Sequence, residues 1–124
     1  MNIQELATVV KNKLNIKIFV LNNDGYLLIR HTQKKYFGRL NGESPRTGLG
    51  FPTLSDIADA YDIDYCWSTA RKGEFIDQEA ADWDIETNIR YALETKKPTL
   101  CEIFTPRWEK LQCRLDELVL DKSL

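Results

Sequence analysis

The sequence predicts an α/β fold, in which a mainly parallel sheet is layered with flanking helices. Two runs rich in apolar and β-branched residues, 16–21 and 99–104, are typical of buried parallel strands. Apolar residues at helical spacing before and between these runs predict helices that alternate with the strands. The length of 124 residues fits one domain with one hydrophobic core.

Each element follows from a local pattern. Apolar residues that recur every three or four positions predict helices at residues 3–13, 54–61 and 83–93. Apolar and aromatic runs predict strands at residues 16–21, 65–68 and 99–104. The pattern from Tyr26 to Tyr36 is ambiguous, although Leu27, Leu28 and the polar residues after them are compatible with a helix.

The remaining segments are predicted to be loops and a tail. Residues 38–50 hold four glycines and one proline, and a loop of this length is usually functional or disordered. Residues 71–82 are polar and irregular. The tail, residues 106–124, is compatible with a helix that packs on its own domain or contacts another subunit. One face of that helix would carry Trp108, Leu111, Leu115 and Leu118.

The composition argues against several classes of partner and site. The net charge is −2 and no basic patch is interleaved with aromatic residues, so we expect no nucleic-acid partner. No apolar stretch is long enough to cross a membrane, and residues 1–5 do not resemble a secretory signal. These features predict a cytoplasmic protein that has no membrane contact.

The cysteine spacing predicts reduced thiols rather than a metal site. Cys66, Cys101 and Cys113 are far apart in the sequence, and His31 is the single histidine. This pattern does not supply zinc ligands at usable spacing. Cys66 and Cys101 fall in predicted strands, where we expect buried and unreactive thiols.

The segment Asn22-Asn23-Asp24-Gly25-Tyr26 follows the first predicted strand and allows two interpretations. Asp-Gly between apolar runs is a signal for a β-hairpin. Alternatively, the segment is the loop of a strand–loop–helix unit, at the strand end where open α/β sheets bind ligands. An Asn oxygen and a Gly carbonyl suit Mg²⁺, which prefers oxygen ligands and usually bridges a carboxylate to phosphates. Both ligands are neutral, so a carboxylate is required from elsewhere.

Several segments resemble the C-terminal thiamine diphosphate (TPP)-binding domain of thiamine diphosphate-dependent enzymes, and the acetolactate synthase-like branch is the most similar. The resemblance runs in order over residues 1–105, and its matching segments are 1–8, 18–26, 29–33, 37–38, 51–52, 57–61 and 98–102. It implies thiamine diphosphate and Mg²⁺ as cofactors, with a 2-oxo acid as substrate of the full-length carboligase or lyase. The implied metal ligands are Asn23 and Gly25. The implied cofactor-binding residues are Asn23, Asp24, Gly25, Tyr26, Leu27 and Leu28.

The resemblance also implies what the chain lacks. In the family, a Gly-Asp-Gly motif that supplies the metal carboxylate precedes the residue that matches Met1, and a separate pyrimidine-binding domain carries the activating glutamate. We therefore expect the isolated chain to bind cofactor weakly or not at all, and to be inactive alone. Pyruvate-decarboxylating relatives carry a catalytic acid at the position of Ile29, so an apolar residue there favours carboligation in the parent.

The resemblance implies an oligomer, because family sites lie between domains of different subunits. The parent would be a homo-oligomer, or the chain would join a larger partner subunit. The alternative to an enzyme part is a non-catalytic remnant or small assembly subunit that completes a site with a partner chain. Whether the chain itself is an enzyme stays open at this point.

Overall fold

The computed structural model describes residues 2–69 and 85–108, in which α-helices alternate with parallel β-strands. In chain order the elements are α1 (Glu5–Lys11), β1 (Lys17–Asn22), α2 (Leu27–Phe37), α3 (Leu54–Ala60), β2 (Asp64–Thr69), α4 (Ile85–Glu94) and β3 (Thr99–Phe104). A short 3-10 helix, Pro45–Thr47, lies in the long loop between α2 and α3. The α/β fold predicted from the sequence is confirmed.

The three strands form one parallel sheet in the order β1-β3-β2. The register aligns Asn22 with Phe104 and Phe104 with Thr69, so the strands end level with one another. Five of the six residues of β3 are buried, as expected for the central strand of a covered parallel sheet. The carboxyl ends of the strands therefore share one edge of the sheet.

Side chains on the two faces of the sheet form two apolar clusters. On one face, α4 packs Ala92 and Ile89 against Cys66, Cys101 and Ile103. On the other face, Leu100 packs with apolar residues of α1, α3, β1, β2 and the segment before β2, which are Leu6, Val10, Val20, Leu54, Ala58, Tyr61, Ile63 and Tyr65. The sheet is thus sandwiched between helices, which is the layered arrangement that the sequence predicts.

Residues 22–26 connect a strand to a helix, so the hairpin interpretation is wrong. β1 pairs in parallel with β3, and the segment after the loop is α2 rather than a returning strand. α2 ends where Gly38 adopts a left-handed conformation, with φ of 64°, and basic Lys34 and Lys35 lie in its last turn. The ambiguous segment from Tyr26 to Tyr36 is therefore mostly helical.

The other element predictions differ from the structure mainly at their boundaries. α1 is shorter than residues 3–13, and α3 begins two residues after Pro52, because Thr53 is its N-cap. Cys66 and Cys101 are buried free thiols, as predicted. The irregular segment 71–82 and most of the tail, from residue 109 onward, lie outside the described residues. Among the described helices, none has both the length and the apolarity to span a bilayer.

Candidate functional site

The candidate site is the turn that leads from β1 into α2 at the carboxyl edge of the sheet. The Asn22 side-chain oxygen accepts a hydrogen bond from the backbone N–H of Asp24 at 2.8 Å. This local bond allows Asp24 to adopt a left-handed conformation, with φ of 59°. Gly25 follows with φ of 146°, a conformation that side-chain-bearing residues rarely adopt. The turn is therefore a defined structure and not a loose connection.

A buried carboxylate of the central strand holds the turn from the sheet side. Glu102 is 4% exposed, and its Oε1 accepts a hydrogen bond from Asn22 Nδ2 at 2.5 Å. Its Oε2 accepts a hydrogen bond from the Tyr65 hydroxyl at 2.6 Å. Burial, together with the Glu102 carboxylate, raises the pKa of the Tyr65 hydroxyl, which stays protonated as a donor. All three strands thus contribute one side chain to this network.

Sequence reasoning missed Glu102 and Tyr65 as parts of the site. Glu102 is the only charged residue within the six-residue strand Thr99–Phe104, and a charge in a buried strand must find partners. The isolated charge of Glu102 is the sequence feature that could have identified it as part of a site. The partner Tyr65 carries no comparable signal, because a tyrosine in a strand is ordinary.

A second charged cluster holds the turn from the side of α2 and the long loop. Arg30 and Glu43 are each 1% exposed and form an ion pair through Arg30 Nε and Glu43 Oε2. The Arg30 guanidinium also donates to the carbonyl oxygen of Asp24 at 3.0 Å and to that of Arg107. Arg107 Nε lies 3.0 Å from Asp24 Oδ2, which adds a second ion pair to the cluster.

The Glu43 carboxylate is ionised within this cluster. Burial alone raises the pKa of Glu43, but a hydrogen bond from Ser44 at 2.7 Å and the Arg30 guanidinium outweigh that effect. The pKa of Glu43 is therefore held below its ordinary value of 4.5. Both Glu43 and Ser44, in the middle of the long loop at residues 38–50, are buried.

Two cavities open beside the turn. The larger has a volume of about 620 Å³, within the range of about 300–1,000 Å³ that is usual for ligand pockets. Its polar lining residues include Asn22, Asp24, Tyr65 and Glu102, and its other aromatic lining residues are Phe51, Trp67 and Phe104. The smaller, of about 250 Å³, is lined by residues that include Asn23, Gly25, Tyr26 and Phe51. A ligand of cofactor size would have room at this edge of the sheet.

The structure brings together most of the residues singled out from the sequence. Asn23, Gly25 and Tyr26 line the smaller cavity, and Asp24 lines the larger one. The Tyr26 ring packs edge-on against Phe51, with 6.0 Å between ring centroids. Leu27 and Leu28 begin α2 and line neither cavity, and Leu28 is 63% exposed.

The oxygen chemistry of the turn fits a hard cation only in part. An amide oxygen of Asn23 and the carbonyl of Gly25 are the kinds of ligand that Mg²⁺ accepts. The nearest turn carboxylate, that of Asp24, is paired with Arg107. The described residues contain no group of three or more His, Cys, Asp or Glu side chains that could hold a metal ion. A cation at this turn would therefore need a further carboxylate.

Comparison with known proteins gives a family match over most of the chain. Residues 1–103 match the model described as thiamine pyrophosphate enzyme, C-terminal TPP binding domain. The acetolactate synthase large subunit of Cyanidium caldarium is 28% identical over 102 residues, which cover 82% of this chain and 15% of that protein. The acetolactate synthase large subunit of Porphyra purpurea is 36% identical over 63 residues, which cover 51% of this chain and 10% of that protein.

Proposed function

Because the chain belongs to the thiamine pyrophosphate enzyme family through its C-terminal TPP-binding domain, we propose that it binds thiamine diphosphate together with Mg²⁺. The observation that carries this proposal is the ordered turn between β1 and α2, which lies beside two cavities at the carboxyl edge of a parallel sheet. Ligands of open α/β sheets bind at this edge.

The residues of the turn have distinct roles in the proposal. The Asn23 side-chain oxygen and the Gly25 carbonyl oxygen would hold Mg²⁺, a hard cation that prefers oxygen ligands and commonly binds together with phosphates. Asp24 and Tyr26, each of which lines one of the cavities, would lie along the cofactor, and Leu27 and Leu28 would contact it from the start of α2, outside both cavities. The bound cofactor supplies the carbanion chemistry, while the protein binds and orients it.

The full reaction belongs to a longer protein or an assembly. The chain spans 10–15% of the length of the curated relatives described above. We propose that the whole assembly is an acetolactate synthase-like carboligase or lyase that acts on 2-oxo acids. Another segment or subunit would supply the metal carboxylate that the turn lacks, and the isolated chain would be inactive without it.

Exposed apolar side chains on β1 favour an assembly role as a second candidate. Leu21 is 69% exposed and Phe19 is 41% exposed, and β1 lies at an edge of the described three-stranded sheet. A larger thiamine diphosphate-binding subunit that covers β1 would bury both side chains. Co-purification with such a subunit, lost in a Leu21→Lys variant, would support this role. A chain that stays monomeric beside that subunit would count against it.

Manganese can test the cofactor proposal directly, because Mn²⁺ accepts the same octahedral oxygen ligands as Mg²⁺ and broadens nearby NMR signals. The full chain is titrated with Mn²⁺ in the presence of thiamine diphosphate. Because the turn lacks a carboxylate of its own for the metal, we expect weak binding, in which the Asn23 and Gly25 signals broaden first at high Mn²⁺ concentration and recover when excess Mg²⁺ is added.

An Asn23→Ala variant should lose this selective broadening, because one of the two proposed oxygen ligands is gone. Asn12→Ala is the matched control, since Asn12 is an exposed residue at the C-terminal end of α1. Two results would reject the proposed site: uniform broadening that is the same in the wild type and in Asn23→Ala, or no broadening of any signal.

A further inference from the structure

The buried Arg30–Glu43 ion pair lies beside the proposed site without lining either of its two cavities. Each residue is 1% exposed, so both charges have lost nearly all contact with water. A buried ion pair is often no more stabilising than well-packed apolar residues of similar size, because desolvation opposes the attraction. Stabilisation of the fold therefore does not by itself explain why the chain buries this ion pair.

The Arg30 side chain connects three separate parts of the chain. Its Nε donates to Glu43 in the long loop, its Nη2 donates to the Asp24 carbonyl in the turn, and its Nη1 donates to the Arg107 carbonyl after β3. A guanidinium suits this arrangement because its donors point outward in one rigid plane. Arg30 thereby fixes the peptide plane between Asp24 and Gly25 from one side.

The Glu43 backbone fixes the same turn one residue further on. The Tyr26 N–H donates to the Glu43 carbonyl oxygen at 2.8 Å. A Cβ added to Gly25 would lie 2.0 Å from that oxygen and 2.6 Å from Arg30 Nη2. The backbone on both sides of Gly25 is therefore held by Arg30 and Glu43, and Gly25 allows their close approach.

We propose that Arg30 and Glu43 are positioning residues, which fix the direction of the Gly25 carbonyl and thereby set the affinity of the turn for the metal–diphosphate unit. This assignment rests on the function proposed above. The pair has no net charge, so it does not attract the cofactor by its own charge. The pair acts through geometry, because it holds the Gly25 carbonyl oxygen in one direction that the turn alone would not fix.

The experiment removes the pair without changing the net charge of the chain. Arg30→Met/Glu43→Leu replaces both charges by apolar side chains, and Arg30→Lys keeps the charge but loses the planar fork. The control is Glu86→Leu/Arg90→Met, an ion pair of 2.7 Å on α4 whose side chains are 75% and 65% exposed. Each variant of the 124-residue chain is measured below its melting temperature.

Two readouts are compared. The first is hydrogen exchange of the Asp24 and Tyr26 amides in the cofactor-free protein, and the second is the Mn²⁺ concentration that half-broadens Gly25 with thiamine diphosphate present. We expect faster exchange in both Arg30 variants and an about tenfold or greater rise in that concentration, since partners that orient metal ligands typically contribute 10–100-fold in affinity. The control variant should match the wild type in both readouts.

The outcomes separate this assignment from the proposed function. Suppose that the wild type shows selective broadening, and that Arg30→Lys and the double variant need the same Mn²⁺ concentration as the wild type to half-broaden Gly25. The assignment is then overturned and the proposed function stands. If the wild type shows no selective broadening, the proposed function fails, and the assignment fails with it. If the double variant does not fold, Arg30→Lys decides between these outcomes, because it keeps the charge pair.

Discussion

Glu102 is a charged residue in the buried central strand, and each of its carboxylate oxygens has one donor, from Asn22 and from Tyr65. Tyr65→Phe removes one donor and leaves that oxygen in a site that is 4% exposed. Because hydrogen bonds to charged groups contribute about 1.5–3 kcal/mol, we expect the free energy of unfolding to fall by about this amount. Urea denaturation monitored by circular dichroism measures it.

Tyr91→Phe is the control for this substitution, because Tyr91 lies on α4 and is 49% exposed. Its free energy of unfolding should stay within about 0.5 kcal/mol of the wild type, as is usual for exposed positions. Equal effects of the two substitutions would mean that the Tyr65–Glu102 hydrogen bond does not stabilise the fold.

The connection between β1 and α2 depends on one residue without a side chain. Gly25→Ala would place a methyl group 2.0 Å from the Glu43 carbonyl oxygen, in a backbone conformation with φ of 146°. Strain and overpacking each cost about 1–3 kcal/mol, so we expect the free energy of unfolding to fall by about 2 kcal/mol or more. Thermal and urea unfolding both report this loss.

Gly50→Ala provides the comparison, because Gly50 lies in the long loop between α2 and α3 that also carries Glu43. A Cβ there meets nothing within 4 Å, and Gly50 has no positive φ of the kind that penalises alanine. We expect its stability to differ from the wild type by about 0.5 kcal/mol or less. A Gly25→Ala protein as stable as Gly50→Ala would show that the loop moves aside at little cost.

Prediction from sequence succeeded at the element scale where a signal is local. The apolar runs of β1 and β3 and the Asn22–Tyr26 segment were all recognisable, since strand burial and turn chemistry act over a few residues. The contacts that hold the turn were not, because Arg30 reaches Glu43, and Glu102 reaches Asn22, only after folding. Their sequence separation, with 13 residues from Arg30 to Glu43, leaves no periodic pattern.

At the scale of the whole molecule, stability should be greatest between the pH ranges in which its buried groups titrate. The pKa of Glu43 is lowered below 4.5 in the fold, so the unfolded chain takes up a proton first as the pH falls. The stabilisation from Glu43 is complete above about pH 4.5 and is lost as the pH falls through the lowered pKa.

The loss of stability at alkaline pH has the opposite cause, because it comes from groups whose pKa is raised in the folded chain. Burial raises the pKa of the Cys66 thiol from 9.0 to about 12, and it also raises the pKa of the Tyr65 hydroxyl above 10.0. Above pH 9 the unfolded chain therefore loses protons that the folded chain keeps. Their contribution to stability is complete below pH 9 and declines as the pH rises toward the folded pKa values.

The Arg30→Met/Glu43→Leu variant separates the acid part of this profile from the rest. It lacks the Glu43 carboxyl, so its free energy of unfolding should fall less steeply than that of the wild type below pH 4.5. Above pH 9 the two profiles should run parallel, because Tyr65 and Cys66 are unchanged. Urea unfolding at pH 3–11 measures both parts, and parallel acid slopes would mean that Glu43 titrates alike in the folded and unfolded chains.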